Sequence, residues 1–212
     1  MTEINNEILA DFFGDSMLNS KYQYAINIVL AKAAIINADL SDIYGRPIVR
    51  SSSSRIKSVD SIIRKLERKG YKVTTDNAVN KLNDIAGVRI ICFFCDDIYR
   101  ISEAIKNEKD LCIVKEKDYV KKPKKSGYQS VHLIVSVPVT YNNELEYVRV
   151  EIQIRSCAMD YWAELDTQMC YKKNSKDIAV VEKEIQSYSV VMSEMDEKML
   201  ELRKKIEGLS HQ

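Results

Sequence analysis

The sequence predicts an α+β protein, with a mixed, mostly antiparallel central sheet flanked by N- and C-terminal helices. Three observations carry this. Val88–Cys95 is a nearly continuous apolar run, the pattern of a strand covered on both faces. Val131–Val139 and Glu146–Arg155 alternate apolar and polar residues around Asn142-Asn143-Glu144, as in a hairpin. At both ends of the chain the apolar spacing is helical instead.

The elements follow in order. Residues 4–40 have a helical pattern, with Ile8, Leu9, Phe12 and Phe13 followed by Tyr24, Ile26, Ile28, Val29 and Leu30, and a break near Gly14. Pro47 and the Ser51–Ser54 run predict a loop around a short strand over 46–50. A helix is expected over 58–70, capped by Ser58 or Asp60, lined by Ile62, Ile63 and Leu66, and followed by Gly70. Ile98–Lys106 reads as a short helix, Leu111–Val114 as a strand, and Met159–Tyr171 as a helix carrying the only tryptophan, Trp162. Ile178, Val181, Ile185, Tyr188, Met192, Met195, Met199, Leu202 and Ile206 then alternate spacings of three and four, an a/d stripe. Such a stripe packs either on the chain's own core or on another helix; its length and charged flanks favour a second subunit. The expected organisation is N-terminal helices over 1–40, a catalytic domain over 41–172 and an amphipathic oligomerisation helix over 173–212.

Composition sets limits on function. With 212 residues, 45% hydrophobic and 30% charged, the chain has room for one ordinary domain with helical additions. A formal net charge of +1 provides no global field toward nucleic acid or membrane, so an anionic ligand needs a local cluster. No apolar run is long enough to span a bilayer, which makes a soluble, cytoplasmic protein the expectation. Cys92 and Cys95 form a C-x-x-C, but they fall in the apolar run read as strand and lack a second ligand pair. They read as small core residues in a reducing compartment rather than as a zinc or redox site. Only His132 and His211 are present, too few for a hydrolase site built on several histidine metal ligands.

Three segments concentrate the chemistry. In Arg55-Ile56-Lys57-Ser58, followed by Ser61 and Lys65, cations and hydroxyls converge where a strand feeds a helix, which suits a polyphosphate; a solvated helix with surface lysines is the plainer alternative. In Asn83-Asp84-Ile85-Ala86-Gly87-Val88-Arg89, Asp84 stands at a sheet edge where it could bind Mg²⁺, and Arg89 is a charge among apolar neighbours; a structural Asp84–Arg89 pair is the alternative. The third runs from Lys117 to His132, with five lysines beside Tyr119 and Tyr128, and continues in the hairpin row Glu151, Gln153 and Arg155. It can neutralise phosphates and stack a purine. Together, two carboxylates (Asp84 and Glu151) and an excess of cations fit Mg²⁺-dependent phosphoryl-type transfer.

These segments resemble the synthetase domain of the RelA/SpoT-type alarmone synthetases over roughly 41–172. The motifs R-I-K-S-x-x-S-I-x-x-K-L, D-I-A-G-V-R, K-D-Y-V-x-x-P-K-x-x-G-Y-Q-S-V-H and E-I-Q-I-R stand in family order. The short chain is similar to the stand-alone small alarmone synthetases. The resemblance implies a nucleotidyltransferase-like fold and transfer of pyrophosphate from ATP to the 3′-hydroxyl of GDP, GTP or GMP. It places Arg55 and Arg89 about the adenine and Lys57, Ser61 and Lys65 on the ATP phosphates. Tyr128 is placed on the guanine, with Lys117, Lys124, His132 and Gln153 near the acceptor. Asp84 and Glu151 are the implied Mg²⁺ ligands and catalytic groups, and the implied assembly is a homotetramer held by terminal helices. Ser126 before Gly127, and Asp166-Thr167 after Trp162, depart from the family pattern and weaken transfer of roles to those positions. Two rivals are a nucleotidyltransferase acting at the α-phosphorus, whose Gly-Ser and paired-aspartate motif is absent, and a nucleotide-sensing or single-stranded RNA-binding module using the Lys/Tyr loop. RNA binding is compatible with the loop but not required by it.

Overall fold

The computed structural model describes residues 16–141, 143–170 and 178–209. Helix α1 (Ser16–Tyr44) leads into strand β1 (Val49–Ile56), helix α2 (Val59–Arg68), a short helix α3 (Thr75–Lys81) and strand β2 (Ala86–Cys92). Helix α4 (Cys95–Lys106), strands β3 (Cys112–Asp118), β4 (Val131–Tyr141) and β5 (Glu144–Ser156), and helices α5 (Cys157–Cys170) and α6 (Ile178–Leu209) complete the chain. The strands form one five-stranded sheet in the order β1-β2-β5-β4-β3. All neighbours are antiparallel except β2 and β5. The expected mixed, mostly antiparallel sheet with flanking helices is therefore present.

The centre of the sheet is apolar because its middle strands are covered. Ile90, Val150, Ile152, Ile154, Leu133 and Val135 are fully buried, and α1 and α4 pack on them through Ile26, Val29, Ile98 and Ile101. α1 runs four residues past the expected boundary at 40, and the break near Gly14 lies outside the described residues.

Several details differ from the sequence reading. The Ser51–Ser54 run is not a loop: it lies within β1, an edge strand paired with β2 from Val49 to Ile56. Serine has little strand preference of its own, and the neighbouring strand's hydrogen bonds supply it. The Val88–Cys95 run ends as strand at Cys92. The chain bends over Phe93-Phe94, and Cys95 opens α4, so the C-x-x-C spans a strand end and a helix start. Cys92 is nonetheless buried and free, and burial pushes its thiol well above the usual range. α3 has no counterpart in the sequence reading.

α6 docks through a mainly polar face. Arg203 pairs with Asp96 at 2.7 Å, buried Asp196 accepts from Ser156 Oγ, and the Trp162 indole donates to Ile185 O at 2.8 Å. Of the a/d stripe, Ile185 and Met192 face the chain itself. Val181, Tyr188, Met195, Met199, Leu202 and Ile206 are exposed.

One ionic cluster fastens α1, β1 and α4. Asp97, with no exposed surface, accepts a two-pronged contact from Arg46 at 2.7 and 2.8 Å and a third from Arg100 at 2.6 Å. Removing one partner leaves a buried charge short of compensation. Arg46→Ala is therefore expected to lower the unfolding free energy by about 3 kcal/mol, measured by urea denaturation. A loss under about 0.5 kcal/mol, the size of an exposed pair, would show that Arg100 alone satisfies Asp97.

Candidate active site

The parallel pairing of β2 and β5 brings the predicted residues together. Its register sets Gly87 beside Glu151 and Arg89 beside Gln153. β1 adds Arg55 opposite Gly87, and His132 on β4 stands opposite Gln153 on β5 and Lys117 on β3. A cavity of about 250 Å³ opens on this surface, lined by Ser53, Ser54, Arg55, Asp84, Arg89, Glu151 and Gln153. A second, of about 640 Å³, shares Arg55 and Asp84 and is walled by Lys57, Ser58, Ser61, Arg64, Lys65 and Arg68. A third, of about 580 Å³, shares Arg89 and is bounded by Tyr128, Arg155, Tyr161, Asp166 and Thr167.

Asp84 belongs to the lysines rather than to Arg89. Its Oδ2 accepts from Lys65 Nζ at 2.5 Å and Lys57 Nζ at 2.9 Å. Burial pushes its carboxyl up, but the hydrogen bonds and charges of Lys65 and Lys57 outweigh this and hold it below the usual range. Arg89 instead reaches Asp160 on α5 at 3.4 Å, with Glu164 at 3.9 Å. The structural Asp84–Arg89 pair is thus replaced by two separate ionic groups on either side of the cavity.

Glu151 sits at the end of a directed hydrogen-bond chain. Arg155 Nη2 donates to the Tyr128 hydroxyl at 2.7 Å, leaving the tyrosine proton for His132 Nε2 at 2.8 Å. In the neutral ring the His132 proton is then on Nδ1, which faces Glu151 Oε1 at 3.2 Å. Gln153 donates to Glu151 Oε2 at 2.8 Å and accepts from Arg155 at 3.1 Å, which closes the circuit. Burial raises the Glu151 carboxyl. The His132 hydrogen bond and then that of Gln153 overcome that effect and hold it below the ordinary glutamate range.

Tyr128 is half-buried, and its ring lies 4.4 Å from Lys124 Nζ and 4.9 Å from the Arg155 guanidinium, with Tyr119 edge-on at 6.1 Å. Arg155 is buried, anchored by Asp160 at 3.1 Å, and was placed by the sequence only as the last member of the row Glu151, Gln153, Arg155. One oxygen of Asp160 accepts from Arg155 and forms an ion pair with Arg89. Nothing in the sequence pattern singles it out, because its two partners reach it only through the tertiary fold. Arg64 and Arg68, which deepen the cationic cleft, carried no motif signal either. Of the positions that depart from the family pattern, Ser126 is exposed in the loop, while Asp166 and Thr167 line the third cavity, with Thr167 Oγ1 donating back to Ala163 O at 2.8 Å.

Two carboxylates on one small cavity suit a hard divalent cation, and Asp84 Oδ1 is buried without a hydrogen-bond partner. Mg²⁺ is commonly held by one or two carboxylates, with water and substrate phosphate completing its shell, and these two residues are a donor set of that kind.

Carboxylates flanked by cationic clefts, with an aromatic platform across the cavity, define a protein built to handle nucleotide polyphosphates. A model of the region found in RelA/SpoT proteins matches residues 54–176, more than half of the chain, and the protein belongs to this family. It is 41% identical to the GTP pyrophosphokinase YwaC of Bacillus subtilis, over 88% of this chain and 89% of that one. With YjbM of the same organism, also a GTP pyrophosphokinase, it shares 36% identity over 73% and 72% of the two chains. The fold superposes on the crystal structure of small alarmone synthetase 1 from Bacillus subtilis bound to its product pppGpp. That match has a TM-score of 0.79 and 32% identity, covering 88% of this chain and 94% of the other.

Replacing His132 by Phe removes the hydrogen bond that favours ionised Glu151 while leaving its burial. The Glu151 titration, followed by ¹³C NMR of the labelled carboxyl, is expected to move upward in pH. An unchanged midpoint would show that the His132–Glu151 contact carries no electrostatic weight.

Proposed function

We propose that the protein is a GTP/GDP 3′-pyrophosphokinase, acting as a synthetase only, that moves the β,γ-pyrophosphate of ATP to the 3′-hydroxyl of a guanine nucleotide to make (p)ppGpp-type alarmones. The observation that carries this is the position of Asp84 and Glu151 on one cavity, between a cleft of cations and the Tyr128 platform. The similarity to two GTP pyrophosphokinases, over 88% and 73% of this chain, supports it. An RNA-binding surface would not need Tyr128 to be hydrogen-bonded, through His132, to a carboxylate.

ATP lies with its adenine between Arg55 and Arg89 and its phosphates on Lys57, Ser61 and Lys65, with Arg64 and Arg68 lining the same cleft. The guanine stacks on Tyr128, with Lys117 and Lys124 neutralising the acceptor phosphates. Glu151, held ionised by His132 and Gln153, accepts the proton as the 3′-oxygen attacks the β-phosphorus. The bond from that phosphorus to the α–β bridging oxygen breaks, and AMP leaves. Asp84 and Glu151 would hold Mg²⁺, which supplies charge neutralisation on the transferring group. Lys57 and Lys65 then balance both Asp84 and the polyphosphate.

The reaction is tested by incubating the protein and Mg²⁺ with labelled ATP and, separately, GMP, GDP and GTP. The expected products are AMP and a 3′-pyrophosphorylated nucleotide, identified by mass spectrometry; transfer of AMP would instead mark attack at the α-phosphorus. Glu151→Gln is expected to fold normally and lose synthesis by about 100-fold or more. Wild-type turnover in that variant would remove Glu151 from the mechanism.

The exposed part of the α6 stripe supports a homo-oligomer, a tetramer in this reading, formed in the cytoplasm. Tyr188, Met195, Met199 and Leu202 present apolar side chains that the described residues leave exposed. Charges placed in such a seam resist desolvation. The double substitution of Met195 and Leu202 by Glu should yield smaller species in light scattering, with the helical circular dichroism retained. A wild-type protein already monomeric at micromolar concentration would rule the assembly out.

A further inference from the structure

The two halves of the site have different supports. Lys57 and Lys65 are held by Asp84, and Ser61 by Ser58, all on the link from β1 to α2, on α2 itself and on the turn before β2. The loop that carries Lys124 and Tyr128 leans instead on α6. Gly127 adopts φ +92, and a Cβ built there would overlap the Ser189 hydroxyl, so backbone and helix meet with no side chain between them. Two residues on, Gln129 Nε2 donates to Ser193 Oγ, whose own proton goes to Ser189 O at 3.0 Å. Tyr128 packs against the small cluster of Trp162, Ala163 and Ile185, where the indole clasps the α6 backbone.

We infer that α6, through Ser189 and Ser193, is a positioning element for the guanine-nucleotide side of the site and not for the ATP side. The inference rests on the acceptor role proposed above for Tyr128 and Lys124. Ser189 leaves space only for glycine at 127, which fixes the turn that presents both side chains. Ser193 holds Gln129 and so sets the direction in which the chain enters β4 at Ser130 and Val131, one residue before His132. Neither serine needs to touch the nucleotide; each acts through the loop.

The test uses the full chain with Ser193→Ala, Gln129→Ala, the double variant and Ser193→Thr, which keeps the hydroxyl. Losing one neutral hydrogen bond should raise the KM for GDP roughly fivefold and leave kcat and the KM for ATP within about twofold. The double variant should be no worse than either single one, since both remove the same contact, and Ser193→Thr should restore the wild-type value. Equal increases in both KM values, additive losses, or no change would overturn the inference. Calorimetric titration of GDP and of ATP into each variant reads the same selectivity without turnover. A wild type that binds both nucleotides but forms no product would sink the proposed reaction and leave this inference open to the binding result. Unchanged GDP affinity in every variant, with normal synthesis, would sink the inference alone.

Discussion

The parallel pairing of β2 with β5 is the constraint on which the site depends. It alone sets Arg89 beside Gln153 and brings the turn carrying Asp84 alongside the middle of β5, close to Glu151. Parallel neighbours cannot be joined by a tight turn, so the chain must leave the sheet and return. Here the excursion is α4, β3 and β4, and it is not spent on connection alone. α4 covers the sheet and supplies the Asp96 and Asp97 that fasten α6 and the turn between α1 and β1, while β3 and β4 bring Lys117 and His132 into the same cross-strand row as Gln153.

Within that frame the charges are held in place by the protein's own side chains. One carboxylate is held by two lysines, the other by a histidine and an amide, and both are kept ionised although burial works against it. Preorganised charge of this kind suits phosphoryl-type transfer, where little covalent chemistry falls to the protein and most of the effect lies in positioning and neutralisation. Asp160 joins the two sides, since a single oxygen of its carboxylate serves Arg89 at one cavity and Arg155 at the next.

Much of this was legible in the sequence because the functional residues lie in short local motifs with strong spacing. The Glu151, Gln153, Arg155 row follows from strand alternation, and the convergence of Arg55, Lys57 and Lys65 follows from a strand end meeting a helix start. Three features were not legible. The serine run of β1 has no pattern that marks a strand until a neighbour pairs with it, and α3 is too short to show an apolar period. The partner of Asp84 was open because aspartate near arginine in sequence says nothing of which cation the fold delivers. α6 was the hardest, since the apolar stripe identified the helix but not its orientation. The face it turns to its own chain is led by Ser189, Asp196 and Arg203, which periodicity counts as exterior.

The brace of the Tyr128 loop reaches far along the chain. Gln129 and Ser193, which share a hydrogen bond, are 64 residues apart, and Gly127 meets Ser189 at a similar remove. The shape of the loop therefore exists only once that distant helix has docked, and it is a product of the finished fold rather than of the loop's own sequence.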